Sequence, residues 1–106
     1  MPKVSVITPA YNAQDFIALT LQSVLDQSFH DFEAIVVDDG STDQTRAIVE
    51  GFERMSKGKI RYVYQPNGGP GKARNRAVAE AKGEYIATLD ADDYWMPQRL
   101  AEGVKI

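Results

Sequence analysis

Residues 32–43 read FEAIVVDDGSTD, an almost uninterrupted apolar run followed at once by acidic and turn-forming residues. The run Phe32–Val37 is short and rich in β-branched side chains, which is typical of a strand. Because only one polar residue, Glu33, interrupts the apolar run, we expect both faces of the strand to be covered, as in a parallel sheet. Gly40 predicts a tight turn after the strand, and either Ser41 or Thr42 can cap the helix that follows.

Short apolar runs alternate with helical periods in both directions from this strand. Further strands are predicted at Val4–Thr8, Ile60–Tyr64 and Tyr85–Leu89. Apolar spacing predicts four helices. The first is Gln14–Gln27, with Phe16 in its apolar stripe, and the second has Ile48, Val49, Phe52 and Met55 facing inward. The third is Lys72–Lys82, with Ala73, Ala77, Val78 and Ala81 facing inward, and the last runs from Met96 to the chain end. This order predicts an α/β fold with a mainly parallel four-stranded sheet and helices on both faces.

Composition bounds the class of protein. The chain has 106 residues, 43% of them hydrophobic and 25% charged, which predicts one folded domain spanning 1–106. Its formal net charge of -3 gives no basic excess for phosphate backbones, so we expect no nucleic-acid partner. The absence of cysteine excludes disulfides and cysteine metal sites. We find neither a signal peptide nor an apolar run near the roughly 20 residues of a membrane span, and expect a cytoplasmic protein.

The chemically distinctive residues follow the strands. Ligands of parallel α/β sheets bind beyond the carboxyl ends of the strands. The segments predicted to meet at that edge contain Tyr11 and Asn12, Asp38 and Asp39, the glycine- and proline-rich residues 65–71, and the acidic residues 90–93. The single histidine, His30, is predicted in a surface turn at the opposite edge, which excludes a histidine-based nucleophile at the site.

The acidic residues after the fourth strand suggest a metal. Asp90 and Asp92 would project to the same side of an extended segment, and carboxylate oxygens suit Mg²⁺ or Mn²⁺. The D-x-D spacing alone is weakly specific, and these acids could instead cap the following helix or be solvated. Both interpretations remain open from the residues alone.

Asp38 and Asp39 also have two interpretations. They form good turn and capping sequence, and one carboxylate could instead accept a hydrogen bond from a base N–H. Tyr11 is either a base-stacking aromatic or a half-buried residue at the sheet edge.

Lys72 and Arg74 are predicted near a helix start, where a cation is unfavourable to the helix dipole. Either they meet an anionic ligand or they balance nearby acids. The segment matches neither a P-loop nor the dinucleotide fingerprint, because Ala73 follows Lys72 and Arg74 stands where a glycine belongs.

Taken together, four segments in this order resemble the family-2 glycosyltransferases. These segments are VSVITPAYN at 4–12, VDDGSTD at 37–43, GKARN at 71–75 and LDADD at 89–93. The resemblance implies a Rossmann-like GT-A fold that transfers sugar, with inversion, from a nucleotide diphosphate sugar, usually a UDP-sugar, using Mg²⁺ or Mn²⁺. It also implies a role in cell-envelope polysaccharide synthesis.

The resemblance also assigns roles by position. It implies that Pro9, Tyr11 and Asn12 line the nucleoside pocket, that Asp38 or Asp39 binds the base, and that Lys72, Arg74 and Asn75 lie near the base and diphosphate. It implies that Asp92 is the main metal ligand and that Asp90 lies nearer the ribose. No catalytic base can be assigned, and we expect it beyond Ile106, together with the site for an unknown saccharide or lipid acceptor.

Two further expectations follow because no catalytic base can be assigned within this chain. The chain is expected to be the donor-binding part of such an enzyme and to transfer little sugar alone; in a longer form it would act at the cytoplasmic face of the membrane. A non-catalytic nucleotide-binding module is the alternative. An open sheet edge would also permit self-association.

Overall fold

Four parallel strands form the sheet of the computed structural model, which describes residues 2–103. The strands are β1 (Val4–Ala10), β2 (Phe32–Asp39), β3 (Ile60–Gln65) and β4 (Tyr85–Thr88). Their order across the sheet is β3-β2-β1-β4, and every neighbouring pair is parallel. The predicted α/β, Rossmann-like architecture is therefore confirmed.

Helices cover both faces of this sheet. They are α1 (Ile17–Leu25), α2 (Thr45–Met55), α3 (Pro70–Glu80) and the short α4 (Arg99–Gly103). Residues of α1 and α2 pack with one face of the strands, and Ala73 and Ala77 of α3 pack with the other. None of the helices found between residues 2 and 103 is long and apolar enough to cross a bilayer.

Alternation along β2 divides the core into two parts. Ala34 and Val36 belong to the cluster beneath α1 and α2, whereas Ile35 and Val37 face α3. All four are buried, which explains the nearly continuous apolar run. The two sides of β2 thus belong to two different helix–sheet layers.

Several predicted boundaries were wrong. The helix predicted from Gln14 begins only at Ile17, and α2 begins at Thr45, where the Asp43 carboxylate accepts a hydrogen bond from the Thr45 N–H. The hydroxyl of Ser41 instead accepts a hydrogen bond from the N–H of Asn12, so it does not cap α2. The prediction that the last helix continues to the chain end falls partly on residues 104–106, outside the described residues.

Three side chains predicted to face inward are exposed, namely Phe16, Met55 and Val78. Phe16 precedes α1 and Met55 is the last residue of α2, so neither lies over the sheet centre. Val78 is one residue past Ala77, and a step of about 100° around the helix turns it away from the sheet. Hydrophobic spacing identified the helices but overestimated the width of their buried faces.

The sheet opens between β1 and β4. Successive connections place β2 on one side of β1 and β4 on the other, so this position is the topological switch point of the sheet. Pairing of β1 with β4 ends at Ile7 and Thr88, and the last described bond joins the Leu89 N–H to the Ile7 carbonyl at 3.0 Å. Pro9 follows and has no N–H with which to continue the ladder. The two loops therefore diverge and leave a crevice where such sheets bind ligands.

Candidate donor-nucleotide site

A cleft of about 650 Å³ occupies this switch point. The residues that line it come from the ends of β1 and β2, the loop before α3, and the acidic turn after β4. Its lining comprises Pro9, Ala10, Tyr11, Asn12, Ala13, Phe16, Asp39, Asn67, Gly69, Pro70, Ala73, Arg74, Asp90, Ala91 and Asp92. The fold therefore brings together seven of the ten residues that the sequence proposed for nucleotide or metal binding.

The acidic residues after β4 form a turn. The Asp93 N–H donates to the Asp90 carbonyl at 3.1 Å, and the segment lacks the extended geometry expected from the sequence. Asp90 and Asp92 nevertheless both line the cleft and are exposed. The Asp93 carboxylate accepts a hydrogen bond from the N–H of Tyr94 and lies outside the lining. A turn therefore presents the two carboxylates that a strand was expected to present.

These two carboxylates do not make a complete metal site by themselves. Within residues 2–103 no group of three or more acidic, histidine or cysteine side chains is arranged to hold a metal ion. Mg²⁺ is commonly held by one or two carboxylates together with substrate phosphates and water. The donor set therefore fits a cation that enters with a diphosphate, and it does not fit a permanently bound ion.

Asp39 is the buried acid of the cleft. Its side chain is 4% exposed and accepts hydrogen bonds from Gln65 Nε2 and from the N–H groups of Gly68 and Gly69, each at 2.9 Å. Burial alone would raise the pKa of Asp39, but these three donors and the positive charge of Lys72 outweigh it and lower the pKa. The carboxylate is therefore ionised at neutral pH and fixes the loop before α3.

Asp38 lies on the other side of the sheet. It is fully buried, and its two oxygens accept hydrogen bonds from the Ser41 N–H at 2.8 Å and from the Tyr62 hydroxyl at 2.6 Å. Burial and the hydrogen bond to Asp38 raise the pKa of Tyr62 well above its usual range. The structure thus separates the acidic pair: Asp39 reaches the cleft and Asp38 does not.

Asn12 joins the cleft wall to the turn after β2. Its backbone adopts a positive φ of 48°, a conformation in which asparagine is enriched. Its N–H donates to Ser41 Oγ, and its side-chain oxygen accepts from the Thr42 N–H, both at 2.8 Å. These bonds leave the adjacent Tyr11 at the rim of the cleft, where its side chain is 53% exposed.

The start of α3 supplies the basic part of the site. Arg74 lines the cleft beside Gly69 and Pro70, the residues at which the helix begins. Lys72 and Asn75 are exposed on the same helix but lie outside the lining. The positive charge of Lys72 acts on Asp39, as the charge-balancing alternative expected.

Sequence reasoning missed several lining residues. Phe16 was assigned to the core because it fits the apolar stripe of α1, although it is 54% exposed beside the cleft. Asn67 and Gly69 lay in a segment recognised only as a loop, although the acid at the end of β2 needs donors and a glycine-rich loop can provide backbone N–H groups. That complementarity was the signal that could have placed the loop.

The chain is similar in sequence to known glycosyltransferases. The sequence profile of Glycosyl transferase family 2 matches residues 5–106. The Bacillus subtilis (strain 168) glycosyltransferase TuaG, assigned to teichuronic acid biosynthesis, is 50% identical over 100 residues, which are 93% of this chain and 39% of TuaG.

Two solved structures are also similar. Staphylococcus aureus TarS 1-349 in complex with UDP-GlcNAc superposes with a TM-score of 0.90 and 41% identity over 97% of this chain and 30% of that chain. The mannosyltransferase PcManGT of Pyrobaculum calidifontis, in complex with GDP-Man and Mn²⁺, gives a TM-score of 0.91 and 32% identity over 98% of this chain and 32% of that chain. The chain thus spans between about a third and two-fifths of these relatives, and it belongs to glycosyltransferase family 2.

Proposed function

We propose that residues 1–106 form the donor-binding part of an inverting glycosyltransferase that uses a UDP-sugar and a divalent cation. The observation that carries the proposal is the cleft, which combines an exposed tyrosine, a buried carboxylate, an arginine and two exposed acids. Family membership and the UDP-GlcNAc complex of the similar protein TarS support it. Since the chain is a fraction of its relatives' length, the activity of the whole protein is part of this proposal.

The nucleoside would lie between Tyr11 and Asp39. The exposed ring of Tyr11 offers a surface on which a base can stack. An ionised carboxylate has about four lone-pair sites, and three donors from the described residues reach Asp39. One acceptor position thus suits the N–H of uracil, while Pro9 and Asn12 complete the pocket wall. Asp38 would support this pocket from behind rather than contact the base.

The diphosphate would lie at the start of α3. The first N–H groups of a helix have no partner within it, and together with the helix dipole they favour an anion. Gly69 and Pro70 place that helix end in the cleft wall, and Arg74 adds a charged donor. We place Lys72 and Asn75 at the rim of the same subsite, where they would reach the phosphates from solvent.

The cation would be Mg²⁺ or Mn²⁺, held by Asp92 with Asp90 nearer the ribose. The Mn²⁺ complex of PcManGT supports the use of a divalent ion. When bound, such an ion supplies Lewis-acid stabilisation of the charge that develops on the leaving diphosphate. The residues of this chain would orient the diphosphate and stabilise its negative charge.

The acceptor side would come from polypeptide outside residues 1–106. An inverting displacement needs a base that takes the proton of the attacking hydroxyl, and every acid lining the cleft already has a nucleotide or metal role. We therefore propose that the isolated chain binds donor but transfers little sugar. The similarity to TuaG favours a cell-envelope polysaccharide as the acceptor. From the family resemblance alone, we propose that the full-length protein acts at the cytoplasmic face of the membrane.

The same observation favours a second candidate, a nucleotide-binding module without turnover. Both candidates require the cleft to bind a nucleotide, but only the glycosyltransferase requires a base from elsewhere in the longer protein. Sugar transfer by the full-length protein separates them, because a binding module would bind UDP equally well and release no free UDP from a UDP-sugar and acceptor.

The first test is calorimetric titration of UDP into this chain with and without Mn²⁺. We expect UDP and Mn²⁺ to strengthen each other's binding, because the protein's two carboxylates need the phosphates to complete the ion's shell. Asp92→Asn should remove most of the gain from Mn²⁺, on the order of tenfold or more in affinity.

Asp93→Asn is the matched control. It changes an adjacent aspartate whose carboxylate bonds a neighbouring N–H and does not line the cleft, so the gain from Mn²⁺ should persist. UDP binding that is absent in folded protein, or equal with and without Mn²⁺, would contradict the proposal as stated. GDP is the next ligand in the first case, since PcManGT was solved with GDP-Man.

A further inference from the structure

A stripe of three polar side chains runs along helix α1 and just past its end, and two of the three are buried. Thr20, Ser23 and Gln27 are three and four residues apart, which places them along one side of the helix and its end. Thr20 and Gln27 are each 1% exposed, although apolar residues normally occupy such positions. Buried polar side chains are unfavourable unless they are hydrogen-bonded, so their partners matter.

Each of the three side chains has a partner in the segment after β4, in addition to bonds within α1 itself. Thr20 Oγ1 approaches the carbonyl oxygen of Ala91 at 2.9 Å and also that of Asp93. The hydroxyl of Ser23 accepts the Trp95 N–H at 3.1 Å. Further along, Gln27 Nε2 donates to the Met96 carbonyl at 2.8 Å. The stripe therefore binds the backbone of residues 91–96, which have no regular secondary structure of their own.

Thr20 is the residue of this stripe that contacts the backbone next to Asp92. The two loop carbonyls that it contacts belong to Ala91 and Asp93, the residues on either side of Asp92. A third carbonyl, of Phe16 in the preceding turn, is 3.2 Å from the same hydroxyl, so these oxygens share one proton. A single buried hydroxyl thus contacts backbone carbonyls of the residues immediately before and after the proposed metal ligand Asp92.

We propose that Thr20 is a positioning residue that holds the Asp90–Asp93 turn in the geometry needed to bind a cation together with a diphosphate. Ser23 and Gln27 extend the same attachment toward α4. This inference rests on the proposed donor function. It assigns to helix α1, which contributes no acidic ligand, control over the metal-dependent part of nucleotide affinity.

The test compares Thr20→Val with Thr20→Ser. Valine keeps the shape of threonine and removes the hydroxyl, whereas serine keeps the hydroxyl. We expect Thr20→Val to bind UDP about tenfold more weakly than wild type in Mn²⁺ and within about twofold of wild type without metal, since residues that orient metal ligands typically affect metal affinity by 10–100-fold. Thr20→Ser should retain most of the metal-dependent gain.

A second readout needs no ligand. Trp95 is the single tryptophan of the chain, and its backbone is bonded to the stripe. Fluorescence of the metal-free protein therefore reports on residues 91–96, and Thr20→Val should make Trp95 more accessible to acrylamide quenching. Thr88→Val applies the same chemical change at an exposed position in β4 and should leave both readouts unchanged.

The outcomes separate the two proposals. Wild-type protein without Mn²⁺-dependent UDP binding would refute the donor function. Wild-type binding with an unchanged metal-dependent gain in Thr20→Val would refute the positioning role alone. An equal loss of affinity with and without Mn²⁺, or no rescue by Thr20→Ser, would reduce Thr20 to a general structural role and also overturn the inference.

Discussion

Asp38 and Asp39 are adjacent in sequence but make different contacts, because strand β2 continues through both residues. Successive side chains of a strand point to opposite faces, so Asp38 meets Tyr62 on the α2 side and Asp39 meets the loop before α3. The sequence predicted the acidic pair but ended the strand at Val37, which made the two residues interchangeable. Extending the alternation by two residues would have separated them.

The Asp39 carboxylate should make folding stability depend on pH. Its pKa is lowered from 3.8, so its stabilising contribution is complete above that value and is lost as pH falls through the lower folded-state pKa. In Asp39→Asn only one oxygen remains to accept from Gln65, Gly68 and Gly69, and leaving a buried donor unpaired costs about 1–3 kcal/mol. The variant should therefore unfold at a lower temperature at pH 7.

The difference from wild type should shrink in acid, because protonation removes the same charge from wild-type Asp39. Thermal unfolding of both proteins between about pH 7 and pH 3 measures it. Asp15→Asn, at an exposed position, controls for the change in net charge. A constant difference across that range would show that the ionised form of Asp39 adds nothing to stability.

At the scale of elements, the loops of the cleft are fixed by contacts between distant segments. The Ala13 N–H donates to Thr45 Oγ1, and the Gln14 N–H to the Asp43 carboxylate, so these residues belong to a loop–loop contact and α1 begins later than predicted. Local periodicity contains no information on partners about 30 residues away. Helices and strands were therefore predictable as elements, whereas their ends at the site were not.

The turn after β2 also lies close to the loop before α3, and this close approach gives an element-level prediction. Gly40 has a φ of +82°, and an added Cβ would lie 2.7 Å from the backbone N of Asn67. Gly40→Ala should strain the turn and separate it from the loop before α3, which lowers both stability and UDP affinity. Gly51 lies within α2, where the nearest atom to an added Cβ is the flexible end of Arg54 at 3.9 Å.

Gly51→Ala is accordingly the matched control. Alanine favours a helix interior by about 1 kcal/mol over glycine, so this variant should be more stable than wild type. Urea unfolding of the two variants measures the contrast. Equal stability changes at the two sites would mean that the close approach of Gly40 to Asn67 does not constrain the turn.

At the scale of the whole molecule, the sequence predicted the helix–sheet layers and the edge of the sheet at which the cleft lies. Both features depend on the order of helices and strands along the chain. Right-handed crossovers and carboxyl-end ligand sites are general properties of parallel sheets, so the alternating pattern sufficed. What it could not give was which strands form the edges. The structure places β3 and β4 there, and β4 has exposed Tyr85 and Ile86 side chains.

The β4 edge leads to the last prediction. Tyr85 and Leu89 direct their N–H groups to β1, so the N–H groups of Ile86 and Thr88 point outward. An edge strand with unpaired backbone groups and exposed apolar side chains can pair with a second copy of the chain, and charged side chains on the strand oppose such pairing. At high concentration the isolated chain should therefore self-associate, and Ile86→Lys should shift it to the monomer.

Met55→Lys provides the control, because Met55 is similarly apolar and 60% exposed but ends α2, which packs beside β3 at the far edge. Sedimentation velocity over a range of concentrations distinguishes the cases. A wild-type chain that stays monomeric throughout would contradict pairing at β4. Loss of association in both variants would attribute it to general surface hydrophobicity, whereas loss in Ile86→Lys alone would identify β4 as the surface on which another strand adds to this sheet.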